Sequence, residues 1–259
     1  MSDARTDGIF APVLTFLLAL VLLWAVGAKL WRWRESRGPA TASRTAAPGA
    51  DTPGATGRPA AAPPGADAAA ARARARERVR RDASGTYILP MLADIDSVLH
   101  RWPDSLGRPV RVAVLRGGVR NWSDDYAHAA DWAVSHWDGA GLPVRFQTGA
   151  DSASADVLMV WSDSLGGLRE GRADVTMTGS GDIVRVVLLL GARAPSGRPH
   201  TAREMVTIAL HEFGHAVGLG HSPDSADALY PMSTATDLTA RDRRTAALLY
   251  ALPAGSLKN

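Results

Sequence analysis

His211-Glu212-Phe213-Gly214-His215-Ala216-Val217-Gly218-Leu219-Gly220-His221-Ser222 is the most informative stretch of this 259-residue chain. Two histidines four positions apart fall on one face of a helix, about one turn from each other. Both rings can then reach one cation at the roughly 2.0–2.1 Å of a zinc–nitrogen bond. Glu212 sits about 100° further round the same helix. That offset keeps its carboxylate out of the ligand set, yet close enough to take a proton from metal-bound water. Gly218 stands where a helix commonly ends in a left-handed turn, a conformation that glycine adopts cheaply. Beyond it the chain can turn back and offer His221 as a third nitrogen. Three protein ligands leave one tetrahedral position open, which separates a catalytic zinc from a structural one.

The residues around the motif supply the helix it needs. Thr201-Ala-Arg-Glu204 is a capping-box pattern, and it opens a helix predicted over 201–217. The chain has no cysteine, so disulfides and thiolate ligands are excluded and any metal must be held by histidine or carboxylate. An isolated HExxH is a weak signal. The added Gly218 and His221 at fixed spacing make it a specific one.

Upstream, Leu92, Ile95, Leu99 and Trp102 recur at helical spacing behind Pro90, which suits a first helical position. A strand is expected over 109–115. Ser123 caps a helix whose apolar face carries Tyr126, Ala129, Ala130, Ala133, Val134 and Trp137. Short strands follow near 144–147 and 155–161, and a hairpin at 174–178 and 183–190 flanks Gly179-Ser180-Gly181. A last helix is expected over 239–252. A few strands interrupted and followed by helices make an α+β domain, assigned to residues 85–259.

The N-terminal third is built differently. Residues 1–84 carry 13 Lys/Arg and 7 Asp/Glu, which leaves 16 basic and 19 acidic side chains in the rest of the chain. The overall net charge of +3 therefore resides in the N-terminal third, and the folded part is slightly acidic. That argues against nucleic acid as the partner, since phosphate binding needs basic side chains on the folded surface. After a short tail at 1–7, the segment 8–28 carries no charge. As a helix it would match the roughly 30 Å hydrocarbon core of a bilayer. With Trp24 and Trp31 near its end, 8–31 reads as a single transmembrane anchor. A cleavable signal peptide ending at Val26-Gly27-Ala28 is the alternative, and a buried core helix a further one. Lys29, Arg32, Arg34 and Arg37 follow the span, which by the positive-inside rule puts the C-terminal side in the cytoplasm; a secretory reading requires the opposite. Residues 32–84, rich in Ala, Pro, Gly and Arg, read as a disordered tether. Its arginine run at 72–81 can meet anionic lipid heads or can be a solvated, partly helical linker end.

The pattern from His211 to Ser222 resembles the metzincin metallopeptidases, and Ser222 directly after the third histidine is similar to the matrixin (matrix-metalloprotease-like) branch. Trp102-Pro103 with Arg108-Pro-Val-Arg111, the helix around 129–137, and Leu238-Thr-Ala-Arg-Asp242 through Leu249-Tyr250 extend the resemblance over roughly residues 100–252. It implies a metzincin-like α+β domain with a small twisted mixed sheet, a zinc-binding active-site helix and a C-terminal helix. It also implies a zinc-dependent metalloendopeptidase that hydrolyses a polypeptide substrate with one catalytic Zn2+, Glu212 acting as general base. The substrate would lie extended against an exposed strand edge, with 233–238 shaping the main specificity pocket. Which hairpin strand is the edge does not follow from the pattern.

Departures from the family are visible too. Its methionine turn, usually Ala-Leu-Met-Tyr-Pro, has Met eight residues after the third histidine. Here Ala228-Leu229-Tyr230-Pro231 keeps the Tyr-Pro register, with Leu229 in the Met place and Met232 following. Leu and Met have similar volumes, and the family's Met packs rather than ligates, so the swap fits the same space. Without cysteine there is no cysteine-switch propeptide. His100, His128, His136 and His200 do not form the family's structural-zinc pattern, and no calcium site is readable. His128 and His136 are expected on a helix surface. By resemblance to secreted or surface peptidases, the domain is expected outside the cytoplasm. A non-catalytic zinc-binding interaction domain on a membrane anchor is the alternative, and a tethered scaffold with a vestigial motif a more distant one.

Overall fold

The computed structural model describes residues 66–95, 97–120 and 122–257. The apolar segment 8–31 and the tether up to residue 65 lie outside the described residues, and among those described no helix is long and apolar enough to cross a membrane. The elements in order are α1 (Ala66–Asp82), α2 (Ile88–Asp94), β1 (Val98–Leu99) and β2 (Val110–Val114). Next come α3 (Asp124–Asp138), β3 (Phe146–Gln147), β4 (Val157–Ser162), β5 (Gly171–Met177) and β6 (Ile183–Gly191). The chain closes with α4 (Ala202–Val217), α5 (Ala240–Tyr250) and β7 (Gly255–Ser256).

Five strands form one mixed sheet in the order β3-β2-β4-β6-β5. β2, β3, β4 and β6 run parallel, and only β5 is antiparallel, returned onto β6 by the hairpin turn at Gly179-Ser180-Gly181. Val157 and Met159 of β4, and Val186, Leu188 and Leu190 of β6, alternate into the core, because successive side chains of a strand point to opposite faces. Among the described residues β5 pairs on one side only, so its other edge offers free backbone donors and acceptors.

Helix α3 is capped by Ser123, whose side chain accepts from Asp125 N, and it buries Tyr126, Ala130, Ala133 and Trp137 as its periodicity predicts. Two capping boxes, Thr201/Glu204 and Thr239/Asp242, start α4 and α5. The end of α4 is held by aromatic donors from distant segments. Trp102 Nε1 donates to Ala216 O at 2.9 Å, and Tyr250 OH donates to Val217 O at 2.9 Å. These carbonyls belong to the last turn, which has no intrahelical partner for them. Trp137 Nε1 adds a bond to Leu210 O at 3.0 Å.

Two expectations need correction. The pattern Leu92-Ile95-Leu99-Trp102 is not one helix: α2 stops at Asp94, Ser97 takes a φ of 59°, and Leu99 lies in β1, paired with β7. All four side chains point inward or pack on the core, so burial rather than helical period spaced them. The segment 32–84, expected to be a disordered tether, contains a helix in its C-terminal part. Residues 66–82 form α1, which buries Ala75 and Val79 in the main core. Arg76 Nη1 donates to Leu257 O at 2.8 Å and Arg78 Nη1 to Ala251 O at 3.1 Å. Alanine and arginine are strong helix formers, and two apolar positions four apart anchor the helix where composition alone suggested a linker.

Candidate metal centre and cleft

Helix α4 carries His211, Glu212 and His215. It ends at Gly218, which takes a φ of 109°; a Cβ there would lie 2.3 Å from His100 O. Both backbone conformation and space therefore demand glycine at this point. The chain then reverses and brings His221 back to the two helical histidines. Their ring centroids lie 4.8, 4.9 and 5.4 Å apart, and their nitrogens fall within 4.8 Å of one another.

The tautomers follow from the hydrogen bonds. His211 Nδ1 lies 2.9 Å from Ala228 O, and His215 Nδ1 lies 2.8 Å from Leu219 O. A carbonyl oxygen only accepts, so each Nδ1 carries the proton and each Nε2 keeps its lone pair. Those two Nε2 atoms face each other at 3.1 Å. Two acceptors at that distance repel unless a cation lies between them, and two zinc–nitrogen bonds at a tetrahedral angle separate their nitrogens by roughly 3.3 Å. The donor set therefore fits a zinc ion. Burial lowers His211 to about 4 and His215 to about 3, and lowers His221 as well. The imidazoles are thus neutral near pH 7, the form that binds metal.

Glu212 is 6% exposed, and its carboxylate accepts no hydrogen bond from the described residues. Burial alone pushes it up to about 8. A cation at the histidines would draw it back down by favouring the charged form. The sequence placed this side chain beside the ligands, and the structure puts it at the start of β5, against Gly171.

Leu229 is fully buried and lies under α4. A Cβ at Gly214 would come within 2.6 Å of Leu229 Cδ2 and 3.0 Å of Trp137 Cζ2. Met232 is 69% exposed and lines the cleft with Pro231, so it does not replace the family methionine in the floor. Tyr230 is half-buried, and its N–H donates to Asp227 O at 3.2 Å within the turn.

Two buried carboxylates brace this turn, and sequence reasoning assigned them no role. Asp227 accepts from Ser222 Oγ, from Thr239 Oγ1 at 2.7 Å and from Arg241 Nε at 2.7 Å. Asp242 accepts from Ala228 N at 3.0 Å, Thr239 N at 2.9 Å and Tyr87 OH at 3.2 Å. Asp242 thereby positions the residue whose carbonyl orients His211. The Thr239-to-Asp242 spacing was a usable signal for this capping carboxylate. Asp227 had none, because its partners come from both sides of the turn.

The histidines open into a cleft of about 830 Å³, lined by Gly171, Arg172, Ala173 and Val175 of β5 and by Thr207 and Ile208 of α4. The edge strand and the three histidines thus share one groove. His100 also lines it, with a buried Nδ1 that has no partner among the described residues. His200 is buried, and neither ring nitrogen has a hydrogen-bond partner among the described residues; Nε2 lies 3.8 Å from Glu170 Oε1 and Nδ1 3.7 Å from Glu204 Oε2. His128 is exposed and His136 stacks on Trp132, both on the surface of α3 as expected.

No curated protein matches the chain by sequence. Among solved structures, the crystal structure of myroilysin matches with 12% identity and a TM-score of 0.39, over 58% of this chain and 85% of that one. A family model of matrixins matches residues 122–251, which takes in α3, four of the five sheet strands (all but β2), the three histidines and the turn beneath them. That match covers half of the sequence and all of the histidine site, and on it the chain belongs to the matrixin family of zinc metalloendopeptidases.

Proposed function

We propose that His211, His215 and His221 hold the catalytic zinc, and that Glu212 is the general base for hydrolysis of an extended polypeptide. The observation that carries this reading is the pair of Nε2 atoms facing each other at 3.1 Å, each turned there by a carbonyl on its own Nδ1. Zinc bound there supplies Lewis acidity, which makes a water nucleophilic near neutral pH and polarises a carbonyl. Glu212 takes the attacking water's proton and passes it to the departing amine. With no hydrogen-bond partner among the described residues, both its oxygens are available for that transfer.

The substrate pairs with the free edge of β5, which supplies backbone donors and acceptors without regard to sequence. Side chains directed toward Thr207, Ile208 and Met232 then meet the cleft walls and set selectivity. Residues 8–31 tether the domain to a membrane on its extracytoplasmic side. The uninterrupted apolar run supports the tether, and the long linker suits reach from a surface.

The deciding experiment is digestion of a peptide library by the full chain, with and without a chelator. Metal-dependent cleavage within peptides is the expected result, and it should be lost by at least ~10²-fold in Glu212→Ala with zinc retained. A Glu212→Ala enzyme as active as the parent would reject the assignment of the base. For the tether, protease added to intact cells should digest the domain; protection would place it on the cytoplasmic side.

A further inference from the structure

Gly171 opens the edge strand β5, and a Cβ built on it would fall 2.2 Å from Glu212 Oε1, 2.4 Å from Cγ and 2.5 Å from Cδ. Real contacts do not come that close. The glycine is not there for its backbone: its φ lies outside the left-handed region, so the main chain alone would accept any residue. The three nearest obstacles to a methyl group are all atoms of the Glu212 side chain.

The strand cannot easily yield. Gly171 pairs with the fully buried Leu190 in the β5–β6 ladder, and Glu170 O accepts from Gly191 N at 2.8 Å. No hydrogen bond among the described residues fixes the Glu212 carboxylate, so packing holds it. The outer half of the side chain fills the space that the bare backbone of residue 171 leaves. The clash with Cγ and Cδ means that a methyl group would displace the whole outer half of the side chain, not just one oxygen.

We infer that Gly171 is a positioning residue for Glu212: its missing side chain forms the shelf on which the carboxylate lies beside the cleft. The inference rests on the reading of Glu212 as the base. It adds that the first residue of the edge strand couples the two halves of the site, the peptide-pairing edge and the proton acceptor. A displacement of about 1 Å can cost on the order of 10²-fold in rate.

The test is Gly171→Ala in the full chain, made in the parent and in the Glu212→Ala background, with kcat, KM and zinc content measured for each. In the parent, G171A should lower kcat by roughly 10- to 100-fold, with KM within about threefold and zinc still bound. In the Glu212→Ala background it should change the residual rate by less than about twofold, because the group it acts through is gone. A parent kcat within about twofold, or an equal loss in both backgrounds, would overturn the inference. Should G171A fail to fold in the parent, recovery of folding in the double variant supports the contact, and failure in both refutes it. A wrong base assignment shows itself separately, as an active Glu212→Ala single variant.

Discussion

Leu229 lies flat against Gly214, one turn of helix between the two metal-directed histidines, and the pair leaves no room for a methyl group on the glycine. Leu229 thus supports α4 by packing, while the carbonyl of its neighbour Ala228 holds His211. Leu229→Met should cost under about 1.5 kcal/mol, as volume-conserving core swaps do. Leu229→Ala should cost about 2–5 kcal/mol, and Gly214→Ala about 1–3 kcal/mol through overpacking. Urea unfolding measures all three, and a Leu229→Ala protein as stable as the parent would remove Leu229 from the floor.

The carbonyl of Ala216, in the turn that bears His215, depends on Trp102 for its hydrogen bond. Trp102→Phe keeps most of the packing and leaves that carbonyl unpaired, at a cost of about 1–3 kcal/mol. Since the same turn carries His215, a proposed zinc ligand, zinc affinity should fall alongside stability. Competition with a colorimetric chelator reads the affinity, and an unchanged value would separate the helix end from the metal site.

Removing the N-terminal helix should matter, although composition reads it as linker. A chain beginning at residue 85 loses α1, the burial of Ala75 and Val79 and the bonds from Arg76 and Arg78. Burial of those two side chains contributes about 2 kcal/mol, or about 4–8 °C in Tm for a domain of this size. A chain beginning at residue 60 should melt with the parent. Equal melting of both truncations would make α1 dispensable.

Acid should weaken one specific tie between β2 and β4. Burial of Asp156 by itself would raise its carboxyl, yet Arg108, the Arg111 N–H and the Arg111 guanidinium together hold it at about 2. The folded value lies below the unfolded one, so the contribution is full above about pH 4 and is lost as pH falls toward 2. With both arginines well exposed, its size is up to about 1 kcal/mol. Asp156→Asn should therefore be less stable than the parent at pH 6, and the gap should narrow below about pH 4 and close as pH falls to about 2 and below. A gap that persists in acid would assign the effect to packing instead of charge.

Much of the site could be read from the chain because its chemistry is local. His211, Glu212 and His215 lie on one helix, so spacing and helix geometry alone bring them together. Gly218 and His221 need only the turn that follows. The capping box at Thr201 and the β5–β6 hairpin were legible for the same reason, being decided within a few residues. Where the signal was burial without a local period, as from Leu92 to Trp102, the same residues suggested a helix that the fold replaces with a short helix, a left-handed residue and a strand.

By itself, the sequence determined the zinc-directed histidines, the adjacent carboxylate and the α+β class, since each depends on residues close in the chain. Only the tertiary structure decided that β5 is the free edge, that Leu229 rather than Met232 floors the site, and that Asp227 and Asp242 brace it. It alone set Gly171 against Glu212, 41 positions away in the chain. Such contacts arise from how strands order themselves and how a helix docks on them, and no periodicity within one segment records that choice.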